Sequence, residues 1–256
     1  MASLLDRPVL SERYFFPRRE MPEGPLRPVD VGDASLSCLH VPAEAGRPTV
    51  LFFHGNGEVV ADYWPWLVDA WRQRGFGVML AEYRGYGGST GTPCLVGMLD
   101  DVDALLAATG CADGEVLVFG RSVGSIYALE LARRHPTVAG LVLESGIADV
   151  LERIRLRVRP AELGTTDEGL AAEVAAHLDH RAKLDRYRGP LLVMHAAGDS
   201  LVDCSHGQRL ASWGSPDDTE LVLLDQGDHN SVMMLNWSEY WRTIDRFVAR
   251  LFPPSR

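Results

Sequence analysis

Short apolar runs alternate with longer amphipathic segments along most of the chain. From Thr49 onward there are six such runs, at residues 50–53, 77–81, 116–119, 141–143, 191–194 and 221–224. Strands that are apolar on both faces and separated by helix-length segments are typical of a parallel sheet covered by helices on both sides. The pattern therefore predicts an α/β fold with a mostly parallel central sheet and right-handed crossovers.

The two ends of the chain have different patterns. Residues 35–41 alternate apolar and polar side chains, which predicts a half-exposed antiparallel strand near the edge of the sheet. Residues 1–35 are rich in Pro and Arg, and the sequence assigns no chemistry to them. Apolar residues recur at every third or fourth position in 237–251, which predicts an amphipathic helix that covers one face of the sheet.

A longer and mostly polar segment separates the fourth and fifth apolar runs. Residues 147–188 are too few for a second domain, so we expect a helical lid insertion within one domain that spans residues 1–256. Within this insertion, four arginines stand at every second position, namely Arg153, Arg155, Arg157 and Arg159. A solvated helix face is the favoured interpretation of this cluster, and recognition of an acidic group on a substrate is the alternative.

A Gly-x-Ser-x-Gly motif follows the third apolar run. The motif reads Gly120-Arg-Ser122-Val-Gly124 and is followed by a small-residue helix pattern that Pro136 stops. At a strand-to-helix corner this motif indicates a nucleophile elbow, which exposes the serine hydroxyl at the top of the sheet. Both flanking positions need glycine because a Cβ would clash where strand and helix come so close. A helix-capping serine in a Gly-rich turn is the alternative.

A serine hydroxyl is a weak nucleophile, so it needs a nearby base, and the base needs an orienting carboxylate. Among the eight histidines, His229 is the favoured base because it lies on the loop after the last predicted strand. Asp199 lies on the loop after the preceding strand and is the favoured acid. Glu144, at the end of the strand that follows the nucleophile helix, is the rival acid.

Two backbone N–H groups are expected to stabilise the negative charge of a tetrahedral intermediate. One is that of Val123, at the start of the helix after the serine. The other is expected from the loop after the first apolar run, which reads His54-Gly-Asn56-Gly57. Asn56 is the favoured donor and Gly57 the next. His54 precedes a glycine at a strand end, so we expect it to order its own loop.

Composition and charge narrow the class of protein further. The formal net charge of −10 disfavours nucleic acids and anionic membrane surfaces as partners. No apolar run approaches the length of a membrane span, and the N-terminus has neither a basic start nor an apolar stretch, so a cytoplasmic protein is expected. The four cysteines lack metal-ligand spacing, so we expect free thiols with no metal site and no disulfide framework.

Five motifs in this order resemble the α/β-hydrolase superfamily, in particular its compact serine esterases, acyl hydrolases and thioesterases, over roughly residues 35–251. They are His54-Gly-Asn-Gly, Tyr83-Arg-Gly-Tyr-Gly-Gly-Ser89, Gly120-Arg-Ser-Val-Gly124, His195-Ala-Ala-Gly-Asp199-Ser-Leu-Val202 and Gly227-Asp-His229. The order of nucleophile, acid and base is also that of the superfamily. One departure is His195-Ala196, where these proteins usually have His-Gly.

The residues and the resemblance together predict a serine hydrolase that cleaves a carboxylic ester or thioester through an acyl-enzyme intermediate. Its partner would be a small-molecule acyl substrate, and it would need neither a metal nor an organic cofactor. A serine peptidase or aminopeptidase, an acyltransferase and a non-catalytic ligand-binding protein on the same fold stay open as alternatives. The acyl chain, the leaving group and the oligomeric state depend on how residues 147–188 shape the pocket.

Overall fold

The computed structural model describes residues 3–253, and within them eight strands form one sheet. The strands are β1 (Leu26–Asp30), β2 (Ser35–Val41), β3 (Thr49–Phe53), β4 (Gly77–Ala81), β5 (Val116–Arg121), β6 (Gly140–Glu144), β7 (Leu191–Ala196) and β8 (Thr219–Leu224). Their order across the sheet is β1-β2-β4-β3-β5-β6-β7-β8. Strands β3 to β8 are parallel, whereas β2 is antiparallel to both β1 and β4. The predicted antiparallel strand at 35–41 is therefore confirmed, one position in from the edge.

Helices occupy the segments between the strands. In the described part of the chain the α-helices are α1 (Pro8–Tyr14), α2 (Trp66–Arg72), α3 (Asp101–Thr109), α4 (Gly124–Arg134), α5 (Val150–Arg155), α6 (Asp167–Leu178), α7 (His180–Arg186), α8 (Ser205–Trp213), α9 (Val232–Leu235) and α10 (Trp237–Leu251). None of these described helices combines the length and the apolar character that crossing a bilayer requires.

The apolar core lies on both faces of the sheet. Successive side chains of a strand point to opposite faces, and in β3 this alternation divides the residues between two buried clusters. Leu51 and Phe53 belong to the cluster that includes side chains of α1, α3, α4 and α7. Val50 and Phe52 belong to the cluster that includes side chains of α2 and α10. The prediction of a mostly parallel sheet covered on both sides is therefore confirmed.

The start of α2 differs from the sequence prediction. The pattern after Glu58 predicts a helix that begins near Tyr63, with Pro65 in its first turn. In the structure, residues 60–63 instead form a separate 3₁₀ turn, and α2 begins at Trp66. The sequence also predicts that Asp62 caps this helix. In the structure its carboxylate instead accepts a hydrogen bond from the Val59 N–H at 3.1 Å and so closes the 3₁₀ turn.

The N-terminal segment contacts the helical insertion. The hydroxyl of Ser3 donates to the Glu173 carboxylate at 2.6 Å, and the Arg7 guanidinium donates to the backbone oxygen of Leu163 at 2.6 Å. Residues 147–188, predicted as a lid, contain α5, α6 and α7. Their role as a lid, and the assignment of the whole chain to one domain, stay predictions.

Candidate active site

The serine of the Gly-x-Ser-x-Gly motif sits at the corner between β5 and α4. Ser122 has a φ of +52°, a left-handed conformation that costs energy for a residue with a Cβ. A Cβ at Gly120 would lie 2.6 Å from the Cβ of Ala128, and one at Gly124 would lie 2.2 Å from the Phe53 carbonyl oxygen. The expected clash at both glycines is therefore confirmed, and the close contact holds the serine at the carboxyl edge of the sheet.

The structure brings the three predicted triad side chains together. The Nε2 atom of His229 lies 2.9 Å from the Ser122 hydroxyl oxygen, and its Nδ1 atom lies 2.8 Å from Oδ2 of Asp199. All three residues are buried. An ionised carboxylate can only accept, so Nδ1–H donates to Asp199 and the lone pair on Nε2 faces the serine hydroxyl. This arrangement can remove the serine proton during attack on a carbonyl carbon.

The Asp199 carboxylate is fully hydrogen-bonded. Its Oδ1 atom accepts from the backbone N–H groups of Leu201 and Val202, at 3.0 and 2.8 Å. Burial alone would raise the pKa of Asp199, but the hydrogen bonds from His195, His229 and Val202 outweigh it and hold the pKa well below its usual range. Asp199 is therefore anionic at neutral pH, as an orienting acid must be.

A second histidine, to which we assigned no role from the sequence, contacts the same acid. Nε2 of His195 lies 3.2 Å from Oδ2 of Asp199 and 2.8 Å from the backbone oxygen of Val202. The available signals were its place in the motif that contains Asp199 and its position near the end of β7, four residues before that acid.

Asp228 connects the acid loop to the histidine loop. Its Oδ1 atom accepts from the backbone N–H groups of Ser200 and His229, both at 2.7 Å, and its Oδ2 atom accepts from the Ser200 hydroxyl at 2.7 Å. These bonds hold the backbone of the proposed base at a set distance from the loop that carries the acid.

Glu144, the rival acid, has different partners. Its Oε1 atom accepts from Nε of Arg121 at 3.1 Å, and its Oε2 atom accepts from the hydroxyl of Tyr240. The carboxylate next to the imidazole of His229 is that of Asp199.

Arg121, the residue before the serine, joins the surrounding loops. Its guanidinium pairs with Glu58 as well as Glu144, and it donates to the backbone oxygen of His229 at 3.0 Å and to the Asn230 side chain at 3.1 Å. This role of Arg121 was not predicted from the sequence. The available signal was a charged residue at the end of an otherwise apolar strand.

The two expected oxyanion donors line one cavity with Ser122 and His229. Val123 is the N-cap residue of α4, where backbone N–H groups have no intrahelical acceptor. Within residues 3–253, neither the Val123 nor the Asn56 backbone N–H donates to a protein acceptor. Their role in stabilising an oxyanion stays a prediction.

The Asn56 side chain is held by the N-terminal segment. Its Oδ1 atom accepts from the backbone N–H of Phe16 at 3.0 Å and from the hydroxyl of Tyr86 at 2.8 Å, and its Nδ2 atom donates to the backbone oxygen of Tyr14. These bonds fix the side chain of Asn56, and its backbone N–H has no protein acceptor among the described residues. The segment to which the sequence assigned no chemistry therefore shapes this site.

The cavity above the serine has a volume of about 210 Å³. It is lined by Tyr14, Phe16, Asn56, Arg121, Ser122, Val123, Ile147, Arg153, Arg157, Leu201, Val202, His229 and Asn230. The lining therefore comes from the N-terminal segment, the insertion and the loops at the carboxyl edge of the sheet.

The remaining candidate residues have structural partners. Nε2 of His54 lies 2.7 Å from the buried Glu82 carboxylate and Nδ1 lies 2.8 Å from the Gly55 oxygen, which orders the loop as expected. The cysteines are free thiols, and burial raises the pKa of Cys94 to about 11, so this thiol is not activated. Among residues 3–253, no group of three or more His, Cys, Asp or Glu side chains is arranged to hold a metal ion.

The strand order and the helices on both faces define an α/β-hydrolase fold, and comparisons with known proteins agree. The family model for serine aminopeptidase, S33, matches residues 44–164. A solved esterase from Pyrococcus furiosus has a TM-score of 0.71 at 16% identity, and the match covers 91% of this chain and 98% of that one. The chain therefore has the fold of the α/β hydrolases.

Two relatives show how the similarity extends along the sequence. The uncharacterized protein YfhR of Escherichia coli (strain K12) is 27% identical over 220 residues, which are 83% of this chain and 74% of that protein. Alpha/beta hydrolase domain-containing protein 17C of Mus musculus is 24% identical over 228 residues, which are 87% of this chain and 67% of that protein.

Proposed function

We propose that this protein is a serine hydrolase that cleaves a small carboxylic ester or thioester through an acyl-enzyme intermediate. The proposal depends on one observation, the hydrogen-bonded chain from the Ser122 hydroxyl through the His229 imidazole to the Asp199 carboxylate at the wall of a cavity. The similarity to an esterase structure and to a serine aminopeptidase family supports hydrolysis of an acyl bond.

In the first step, the Ser122 oxygen attacks the substrate carbonyl carbon while its proton passes to Nε2 of His229. Asp199 stabilises the resulting imidazolium through the hydrogen bond at Nδ1. Negative charge develops on the former carbonyl oxygen, and the backbone N–H groups of Val123 and Asn56 would stabilise it. The N-terminal end of α4 adds a favourable dipole at the same position.

The tetrahedral intermediate then collapses. The bond from the carbonyl carbon to the leaving oxygen or sulfur breaks, and His229 gives its proton to the leaving group, so the acyl group stays on Ser122. A water molecule attacks this acyl-enzyme, and His229 accepts its proton. Collapse of the second intermediate releases the carboxylic acid and returns the proton to the serine.

The lining of the cavity favours an ester over an aminopeptidase substrate. An aminopeptidase must bind the free α-ammonium group of its substrate, which an acidic side chain would stabilise. None of the described residues that line the cavity is an Asp or Glu. At about 210 Å³ the cavity is also smaller than the 300 Å³ or more that is usual for larger ligands, so short acyl chains are expected.

Labelling and turnover together test this proposal. We expect a fluorophosphonate probe to label the wild-type protein and not the Ser122→Ala variant, because the probe reacts with an activated serine. In a panel of p-nitrophenyl esters of increasing chain length, the short esters should be hydrolysed fastest, and Ser122→Ala should lower kcat by about 1,000-fold or more.

The control is Ser238→Ala, which removes an exposed hydroxyl from α10 and should leave labelling and turnover unchanged. Full turnover in the Ser122→Ala variant would show that another group attacks the substrate. Absence of both labelling and turnover in the wild-type protein would favour a non-catalytic ligand-binding role.

A further inference from the structure

The four arginines of the insertion are divided into two pairs. Arg155 and Arg159 each pair with a carboxylate of the insertion, at 3.1 and 3.5 Å. Arg153 and Arg157, four residues apart, instead line the cavity that contains Ser122. Within residues 3–253, neither Arg153 nor Arg157 has a carboxylate within 4.0 Å. The interpretation as a solvated surface therefore fits Arg155 and Arg159, whereas Arg153 and Arg157 face the proposed reaction site.

The cavity is positive in a protein that is negative overall. Three arginines and no acidic residue are among its described lining residues, whereas the formal charge of the chain is −10. The third arginine, Arg121, is already paired with Glu58 and Glu144. The charge left for a ligand therefore comes from Arg153 and Arg157, and it would attract an anion.

Tyr14 lies at the same wall, and its hydroxyl is buried. Tyr14 is 5% exposed and lines the cavity, and its hydroxyl has no hydrogen-bond partner among the described residues. Burial raises the pKa of Tyr14, and Arg153 and Arg157 oppose this rise, as expected of guanidinium groups near the hydroxyl. A buried polar group without a partner is costly, so an acceptor atom on a ligand would stabilise this one.

Arg157 is partly oriented by an aromatic ring. Its guanidinium carbon lies 5.3 Å from the centre of the Phe16 ring, and the Phe16 backbone N–H is held by Asn56 and Tyr86, both at 3.0 Å. An arginine that stacks on a ring keeps the N–H groups at its edge free to bind a carboxylate.

We propose that the substrate is a short ester whose acyl group ends in a carboxylate, and that Arg153, Arg157 and the Tyr14 hydroxyl bind this carboxylate while the scissile carbonyl lies at Ser122. This inference rests on the proposed hydrolase function. Guanidinium groups would also bind a phosphate, but a carboxylate is smaller and fits the cavity of about 210 Å³ better.

The test compares two substrates that differ in charge. The mono-p-nitrophenyl ester of glutaric acid carries a carboxylate, and the same ester with that carboxylate capped as a methyl ester does not. We expect the wild-type protein to have a kcat/KM about tenfold or more higher for the anionic ester. Arg153→Gln and Arg157→Gln should each remove most of this preference, mainly through KM. Tyr14→Phe should weaken it less.

The matched controls are Arg155→Gln and Arg159→Gln, which remove the same charge from the same segment but not from the cavity. They should leave both kcat/KM values unchanged. If all four variants lose the preference equally, long-range charge rather than a binding site explains it, and the inference is wrong. Equal kcat/KM values for the two esters in the wild-type protein would also refute it.

Further measurements separate this inference from the proposed function. Hydrolysis of the capped ester without a preference for the anionic one would overturn only the inference. A preference for 4-acetoxybenzoate, which carries its carboxylate on the leaving group, over 4-nitrophenyl acetate would overturn the acyl-side assignment.

If the wild-type protein hydrolyses neither of the two glutarate esters, calorimetry with free glutarate still tests the anion site. Binding that Arg153→Gln abolishes would support the site, and absence of binding would refute it.

Discussion

The arginines that line the cavity at Ser122 have opposite surroundings. The Arg121 guanidinium is buried, and all of its partners are protein groups, from the loops that follow β3 and β8 and from the last residue of β6. Arg153 and Arg157 reach the same cavity from the insertion and have no carboxylate partner in the described part of the chain. Arg121 thus has all of its partners within the protein, whereas Arg153 and Arg157 would find theirs on a ligand.

The difference follows from desolvation. A buried charge without partners would cost several kcal/mol, so Arg121 must be paired for the fold to form. Arg153 is half-buried and Arg157 is exposed, so water can solvate them until a ligand arrives. Full pairing therefore indicates a positioning role, and the absence of pairing at a cavity wall indicates a binding role.

The largest expected effect is on kcat, and it distinguishes Asp199 from Glu144, a partner of Arg121. Asp199→Asn should lower kcat by about 1,000-fold or more, because an amide cannot stabilise the imidazolium and can impose the wrong tautomer. Glu144→Gln, which alters a partner of Arg121, should lower kcat by less than about tenfold. Steady-state kinetics on the best ester measures both. The reverse ranking would move the acid role to Glu144 and break the comparison.

The next effect concerns stability. Arg121→Met should lower the free energy of unfolding by about 3 to 5 kcal/mol, since it leaves the buried carboxylate of Glu144 and the partly buried carboxylate of Glu58 without their cation. Urea unfolding measures this change, with Arg155→Gln as the exposed arginine control, expected within about 0.5 kcal/mol of the wild-type protein. Adding Glu144→Gln to Arg121→Met should restore part of the loss. An Arg121→Met variant as stable as the wild-type protein would contradict the positioning role.

The smallest effect extends the comparison to a second paired site. Glu130 on α4 is buried and lies 3.0 Å from Nζ of Lys183. Burial alone would raise its pKa, but hydrogen bonds from Arg133 and Arg134 and the nearby positive charge of Lys183 lower it from 4.5 to about 2. A folded-state pKa below the unfolded value gives stability that is fully present above pH 4.5 and is lost as the pH falls towards 2.

Unfolding of the wild-type protein and of Glu130→Gln at several pH values checks this linkage. The variant should be less stable at pH 7, and the gap between the two proteins should narrow as the pH falls from about 4.5 to about 2. A gap that is constant over this range would mean that the ionised form of Glu130 contributes nothing.

Local pattern was enough for much of the fold and for the meeting of the three triad side chains. The apolar runs of β3 to β8 identify parallel strands, and parallel strands end at the same edge of a sheet. The loops after such strands, which carry Ser122, Asp199 and His229, therefore meet at one edge of the sheet. This does not depend on the exact positions of the helices. The glycines at 120 and 124 mark the tight corner because only glycine fits where strand and helix backbones nearly touch.

Tertiary packing alone decided what surrounds the serine. The N-terminal segment, the insertion and the loop at Asn56 contact one another around the cavity. These contacts place Tyr14 and Phe16 in the cavity wall, and they turn Arg153 and Arg157 towards the cavity. Such contacts join segments that are far apart in sequence and leave no periodic signal, because periodicity reports only which face of one element is buried. The meeting of these three side chains at the sheet edge was therefore predictable from the sequence, whereas the shape and charge of the pocket beside them required the folded protein.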